Sequence, residues 1–184
     1  MRGLFEHAGI VAGAVRLLVL ASLLGGSATA GRAADVYGNI PEIDDRGREQ
    51  RPMFRLWNPD PIGNHEAHLA AINPRLAAVV RKAERDNPGL RFVVGSGRRD
   101  PALQRVALAW GWSRTPGSLH ATGDAVDLWP LDTGGRVTFD PALQDRVAAA
   151  MKRAALDLGV PLRWGGHFRG YKGRDRSHFE IAGD

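Results

Sequence analysis

Three of the six Asx-Pro pairs in this chain, Asn73-Pro74, Asp100-Pro101 and Asp140-Pro141, constrain it more than any other feature. In each, a side chain able to accept from the free N–H groups of a first helical turn stands just before a proline. The proline ring presets φ for the helix, and its missing N–H costs nothing at that position. Three helices are therefore predicted. The first runs from Pro74 to about Arg85, with Leu76, Val79, Val80 and Ala83 on its apolar stripe, and Asn87-Pro88-Gly89 ends it. The second covers Pro101 to about Trp110, and the third Pro141 to Leu158 with Gly159 as its stop. Arg91 to Gly95 reads as a buried strand, Asp124 to Trp129 as a second, and Trp164 and His178 lie in two further strand candidates. The order is helix, strand, helix, strand, helix, strand, strand, with an irregular loop from Gly165 to Arg174. It predicts an α+β domain, a small antiparallel sheet with packed helices, over residues 65–184.

The 184 residues suit one such domain. Residues 1–30 read as a secretory signal: Arg2 and Arg16 precede the apolar run Leu17 to Leu24, and Ala28-Thr-Ala30 offers a small-residue cleavage site. That run is too short to span a bilayer, so no stable membrane span is expected after cleavage. An uncleaved anchor is the competing reading, because Ala8 to Val15 is also weakly apolar, but Arg16 interrupts it. Residues 31–64 mix Pro, Gly and charge and read as a tether or partly ordered segment, anchored by Met53, Phe54, Leu56 and Trp57. With no Cys in an exported chain, the domain must be held by its core, with or without the help of a metal, rather than by disulfides. Without Arg2, Arg16 and Glu6 the chain retains 23 basic against 19 acidic residues, a balance drawn to anionic surfaces such as a cell wall. The basic residues form no aromatic-interleaved array, which argues against nucleic acid. A monomer is expected.

The chemistry gathers in two stretches. Ser118-Leu-His-Ala-Thr-Gly-Asp-Ala-Val-Asp127 sets an imidazole and a carboxylate seven residues apart. Gly123 lets the chain turn tightly between them. On the following strand Val126 and Leu128 face the core, while Ala125, Asp127 and Trp129 face the other way. The C-terminal Asp175-Arg-Ser-His178-Phe-Glu180 supplies a second His beside carboxylates: Phe179 and Ile181 point inward, and His178 and Glu180 share the opposite face. Two His and one carboxylate leave a fourth tetrahedral position for water, the pattern of catalytic zinc. Asp175 is placed to take a proton from such a water and pass it to a leaving amine. Each residue also has a plainer reading. A lone His on a strand is usually solvated, Asp127 could cap a turn, Ser118 could be a turn residue, and Glu180 could orient a ligating His or lie exposed.

Together these residues resemble the zinc peptidoglycan peptidases, the family of D-alanyl-D-alanine carboxypeptidases and phage-type L-alanyl-D-glutamate endopeptidases that shares the Hedgehog/DD-peptidase fold. The resemblance covers about residues 69–182. Its first pattern is met at Ser118, His120, Gly123, Ala125 and Asp127, and its second at Trp164, Gly165, Gly166, Asp175, His178, Phe179 and Glu180. It implies one zinc ion per chain held by His120, Asp127 and His178, with Asp175 as general base and a peptidoglycan stem peptide as substrate. Ser96-Gly97-Arg98-Arg99 followed by Gln104 resembles the family's upstream element, which implies that Arg99, with Gln104, binds substrate. Position 98 is Arg where the family has an aromatic, and His167-Phe168 follow Gly166 where the endopeptidases carry an acidic residue and Trp. Asp175 with Phe179-Glu180 resembles the endopeptidase branch more than the D,D-carboxypeptidases.

From a different class, a zinc-stabilised wall-binding module without turnover would share the fold, and the intact Asp175 argues against it. His65-Glu-Ala-His68 is refused as a zincin motif, because its two His lie three residues apart where the motif needs four. Trp110, Trp112 and Trp129 read as core or groove walls rather than a dedicated sugar platform, and His167 as a substrate-side or exposed residue.

Overall fold

The computed structural model describes residues 35–169 and 175–183, so the signal reading of residues 1–30 lies outside the described residues. The elements in chain order are α1 (Gln50–Trp57), α2 (His65–Ala71), α3 (Pro74–Asp86), β1 (Phe92–Ser96), α4 (Pro101–Trp110), β2 (Ala125–Pro130), α5 (Pro141–Asp157), β3 (Leu162–Trp164) and β4 (His178–Ile181). These three Asx-Pro pairs start helices, whereas Asn58-Pro59, Asp60-Pro61 and Asn87-Pro88 do not. Asn73 accepts from the Arg75 N–H at 2.9 Å, Asp100 from Leu103 at 2.8 Å and Asp140 from Leu143 at 2.9 Å. Gly111 ends α4 with φ +74°, a left-handed geometry that glycine adopts without a Cβ penalty.

The four strands form one antiparallel sheet in the order β1-β2-β4-β3. This order places Asp127 on β2 directly opposite His178 on β4. One face, carrying Val94, Val126, Leu128 and Phe179, packs on Leu76, Val79 and Val80 of α3 and Val147, Met151 and Ala154 of α5. On the other face, which carries Asp127, Trp129 is buried. It packs with Val93 against Tyr37, Ile40, Phe54, Trp57 and Ala107, a second core.

That second core changes the account of residues 35–64. The stretch has few apolar residues, but those it has are placed well: Tyr37 and Ile40 are fully buried, and Met53, Phe54 and Trp57 bury one face of α1. Leu56, expected among the anchors, is 76% exposed because it lies on the opposite face of that helix. The Tyr37 hydroxyl donates to the Asn58 carbonyl, and the Asn58 amide donates to the Val94 and Gly95 carbonyls at 3.2 and 3.3 Å. The segment is thus hydrogen-bonded to β1 as well as packed on the sheet. Among the described residues no helix is long and apolar enough to cross a membrane.

Candidate metal and catalytic site

The turn ahead of β2 is built around Gly123 at φ +86°, and its N–H donates to the His120 carbonyl at 3.3 Å. This folds His120 back toward the strand, where it is 1% exposed. His120, Asp127 and His178 offer one ligand atom each within 4.8 Å of one another. His120 Nε2 lies 3.4 Å from Asp127 Oδ1 and 3.3 Å from His178 Nδ1, and His178 Nδ1 lies 3.2 Å from Asp127 Oδ1.

The neighbours of the two rings decide which nitrogens face the cluster. His120 Nδ1 is 2.8 Å from the Gly97 carbonyl, which can only accept, so Nδ1 carries the hydrogen and Nε2 keeps its lone pair. His178 Nε2 is 2.9 Å from Glu180 Oε2, which leaves Nδ1 as the inward nitrogen. Glu180 is in turn held by Arg163 at 2.9 Å. Hydrogen-bonded partners of this kind fix ring orientation and raise basicity in metal sites. Burial works against a charged His178, but its hydrogen bonds to Asp127 and Glu180 and their charges push it up to about 10. Burial alone would raise the Asp127 carboxyl, yet the His120 ring, the bond from His178 and the Arg99 charge hold it well below the usual carboxylate range. Once the His178 proton is displaced, a carboxylate that stays ionised between two inward imidazole nitrogens is a donor set suited to a divalent cation.

The remaining expected residues fall into place unevenly. Asp175 borders the same cleft as the three ligand candidates. Burial and then the nearby Asp127 charge push its carboxyl up, and its Oδ1 accepts from the Ser177 hydroxyl at 3.1 Å. Its approach depends on Gly165, where an added Cβ would sit 2.3 Å from the Asp175 carbonyl oxygen. Arg98 is exposed and Arg99 is buried. Arg99, expected to bind substrate, is engaged within the protein: Nη2 donates to Asp127 Oδ2 at 2.7 Å and Nε to Ser96 Oγ at 2.9 Å. Its guanidinium lies 5.1 Å from the Trp57 ring. Gln104 likewise points inward, donating to Ser113 Oγ at 2.8 Å and the Thr115 carbonyl at 2.7 Å, and so ties down the loop after α4. Ser118 Oγ accepts from the His120 N–H at 3.3 Å at the edge of the cleft. His167 packs 4.8 Å from the Trp164 ring, outside the cluster.

The sequence reading missed the Gly97 carbonyl, Ser96 and Trp57. The first is a backbone group with no sequence signal. Ser96 stands in the Arg99 motif but gives no sign of its bond, and Trp57 precedes the region in which the resemblance was read.

An antiparallel sheet that presents two oriented imidazoles and an ionised carboxylate in a cleft, with a further carboxylate lining it, could hold a divalent metal and is an architecture suited to a hydrolase. Comparison with known proteins agrees in particulars. Residues 62–182 match the family model described as phage L-alanyl-D-glutamate peptidase, and the chain belongs to that family. It is 33% identical over 105 residues to the L-alanyl-D-glutamate peptidase of Escherichia phage T5, a match covering 55% of this chain and 76% of the phage protein. Among solved structures it resembles the Serratia marcescens L-Ala D-Glu endopeptidase ChiX, with a TM-score of 0.59 and 32% identity over 69% of this chain and 95% of that one. The α+β architecture with a small antiparallel sheet is the fold that the sequence resemblance implied.

Proposed function

We propose that this chain is an exported peptidoglycan peptidase that hydrolyses the L-alanyl-D-glutamate bond of the stem peptide with one zinc ion per chain. The observation that carries the proposal is the convergence of His120, Asp127 and His178 beside Asp175 in one cleft, in a chain whose family and relatives are named for this bond. His120 Nε2, an Asp127 oxygen and His178 Nδ1 would hold the metal, which when bound supplies a Lewis acid and a water of pKa near ~7.

The protein's own groups do the rest. Asp175 takes the proton of the attacking water and returns it to the amine of D-glutamate as the C–N bond breaks. Its raised affinity for a proton suits that exchange. Glu180 and the Gly97 carbonyl keep the two rings in the ligating tautomer, and Arg99 holds Asp127 by its second oxygen. Ser118 lies on the cleft wall, where its hydroxyl can meet the substrate.

Mass spectrometry of muropeptides after incubation with the purified protein tests this reading. New peptides beginning with D-glutamate are the expected products. Loss of only the terminal D-alanine would mean a D,D-carboxypeptidase, and no cleavage by zinc-loaded protein would mean a wall-binding module.

A further inference from the structure

The ligand cluster has a second cavity on its other side. It measures about 410 Å3 and meets the first cleft at Arg99, Trp112, Asp127 and Asp175. A volume of this order falls within the range of small-molecule sites, about 300–1,000 Å3. Its walls are aromatic: Phe54 and Trp57 from α1, then Trp112, Trp129 and Phe139. Phe54 sits at the centre, with ring centroids 5.0 Å from Trp112, 5.2 Å from Trp129 and 5.6 Å from Phe139.

One polar side chain in this wall is unexplained. Gln144, in the first turn of α5, is 7% exposed and lines the cavity. Among the described residues its carboxamide has no hydrogen-bond partner, although it offers two donors and an acceptor. The enclosed side-chain atom without a partner among the described residues is Gln104 Oε1, so the Gln144 carboxamide is open to the cavity rather than sealed, and a ligand there can pair it. The cavity's two guanidinium groups are already engaged, Arg176 by Asp145 and Arg99 by Asp127. Nothing there calls for an anion. Aromatic faces with the Gln144 carboxamide, the Ser177 hydroxyl and the Asp175 carboxyl at the cleft end suit a neutral ring that has C–H faces and an amide of its own.

We propose that this cavity is a subsite for the N-acetylated sugar that carries the stem peptide. The inference rests on the peptidase reading above and deepens it. In glycan-linked muropeptide the L-alanine is joined directly to the lactyl group of an N-acetylmuramyl ring, so the sugar begins within roughly 7 Å of the bond to be cut. The two halves of the substrate then sort by chemistry. The acidic half, from D-glutamate onward, enters the polar cleft beside Ser113, Arg114, Thr115 and Ser118. The neutral half, L-alanine and its sugar, enters the aromatic cavity, where Gln144 pairs with the N-acetyl group. Trp112 and Trp129, which the sequence reading took as core or groove walls rather than a dedicated sugar platform, line this cavity with Gln144. Because Phe54 and Trp57 precede the family-matched residues 62–182, the segment before that region builds part of this subsite.

The test compares kcat/KM for one peptide sequence in two forms, free and linked to the N-acetylglucosaminyl-N-acetylmuramyl disaccharide. The parent is expected to favour the linked form by tenfold or more. Gln144→Leu and Trp112→Leu should each bring that ratio down toward one, and it is the ratio that reports the subsite, since a merely structural loss lowers both values together. The disaccharide without peptide should inhibit the parent and fail to inhibit Gln144→Leu at the same concentration. Equal kcat/KM for the two forms in the parent, or a ratio unchanged in both variants, would overturn the proposal while leaving the peptidase reading intact. Failure to cut either form would instead sink that reading.

Discussion

Asp175 and Glu180 are both carboxylates near the same imidazole, but only Glu180 is hydrogen-bonded to it among the described residues. Asp175 borders the cleft, so Asp175→Asn should leave zinc bound while turnover falls by about two to four orders of magnitude. Metal content and steady-state rates on one preparation check this, and near-normal turnover would remove Asp175 from the base role. Glu180 fixes the far nitrogen of His178 at 2.9 Å. Glu180→Ala is therefore expected to weaken zinc affinity by about 10–100-fold, the usual loss for an outer partner of a ligating His, as read by competition with a chelator. At this scale the sequence was legible wherever a side chain's task follows from its own alternation and spacing. His120, Asp127 and His178 come together as their strand and turn positions require. Arg99 was not legible in this way, because a guanidinium can serve a substrate carboxylate or a protein one. Only the three-dimensional neighbour, Asp127 at 2.7 Å, shows which it meets here.

Helices with a strong N-terminal signal were foreseen, and those without it were not. α3, α4 and α5 each have an Asx cap and a proline, whereas Glu49 before α1 and Asn64 before α2 make no side-chain cap bond. α1 and α2 are held by tertiary contacts instead, as expected of helices too short to be stable alone. The refused His65-Glu-Ala-His68 motif turns out to supply such contacts. His65 Nδ1 accepts from the Val94 N–H at 3.1 Å and its Nε2 meets Glu84 at 2.9 Å, which joins α2 to β1 and α3. His65→Ala leaves the Val94 N–H without that acceptor, and denaturant unfolding should show a loss of about 1–3 kcal/mol. His68, one turn on, has its pKa lowered by burial and then by the charge of His65. Its folded value thus lies below its unfolded one, so the unfolded chain binds more protons on the acid side. The stability that depends on a neutral His68 is present above the unfolded value near ~6.5 and is lost as pH falls below it. His68→Gln should flatten the decline in stability between pH 7 and pH 5, and an unchanged slope would show that His68 does not contribute to it.

Across the described residues, the sheet is covered on both faces, and His120, Asp127 and His178 line a cleft. The second cover comes largely from residues before the family-matched region: Tyr37, Ile40, Phe54 and Trp57 are all buried. The physical reason that sequence reading took this stretch for a tether is that its few apolar residues are diluted by Pro, Gly and charge, and dilution hides how completely each is buried. The segment also reaches the site, through Trp57 over Arg99 and Arg99 on Asp127. The most direct test of the central claim is a zinc titration of chelator-treated protein, with stem-peptide hydrolysis followed at each addition. Activity should be absent at the start, rise in proportion to added zinc and level off at about one equivalent per chain, while His120→Ala stays inactive throughout. Full activity in the chelated protein, or equal recovery in His120→Ala, would contradict it.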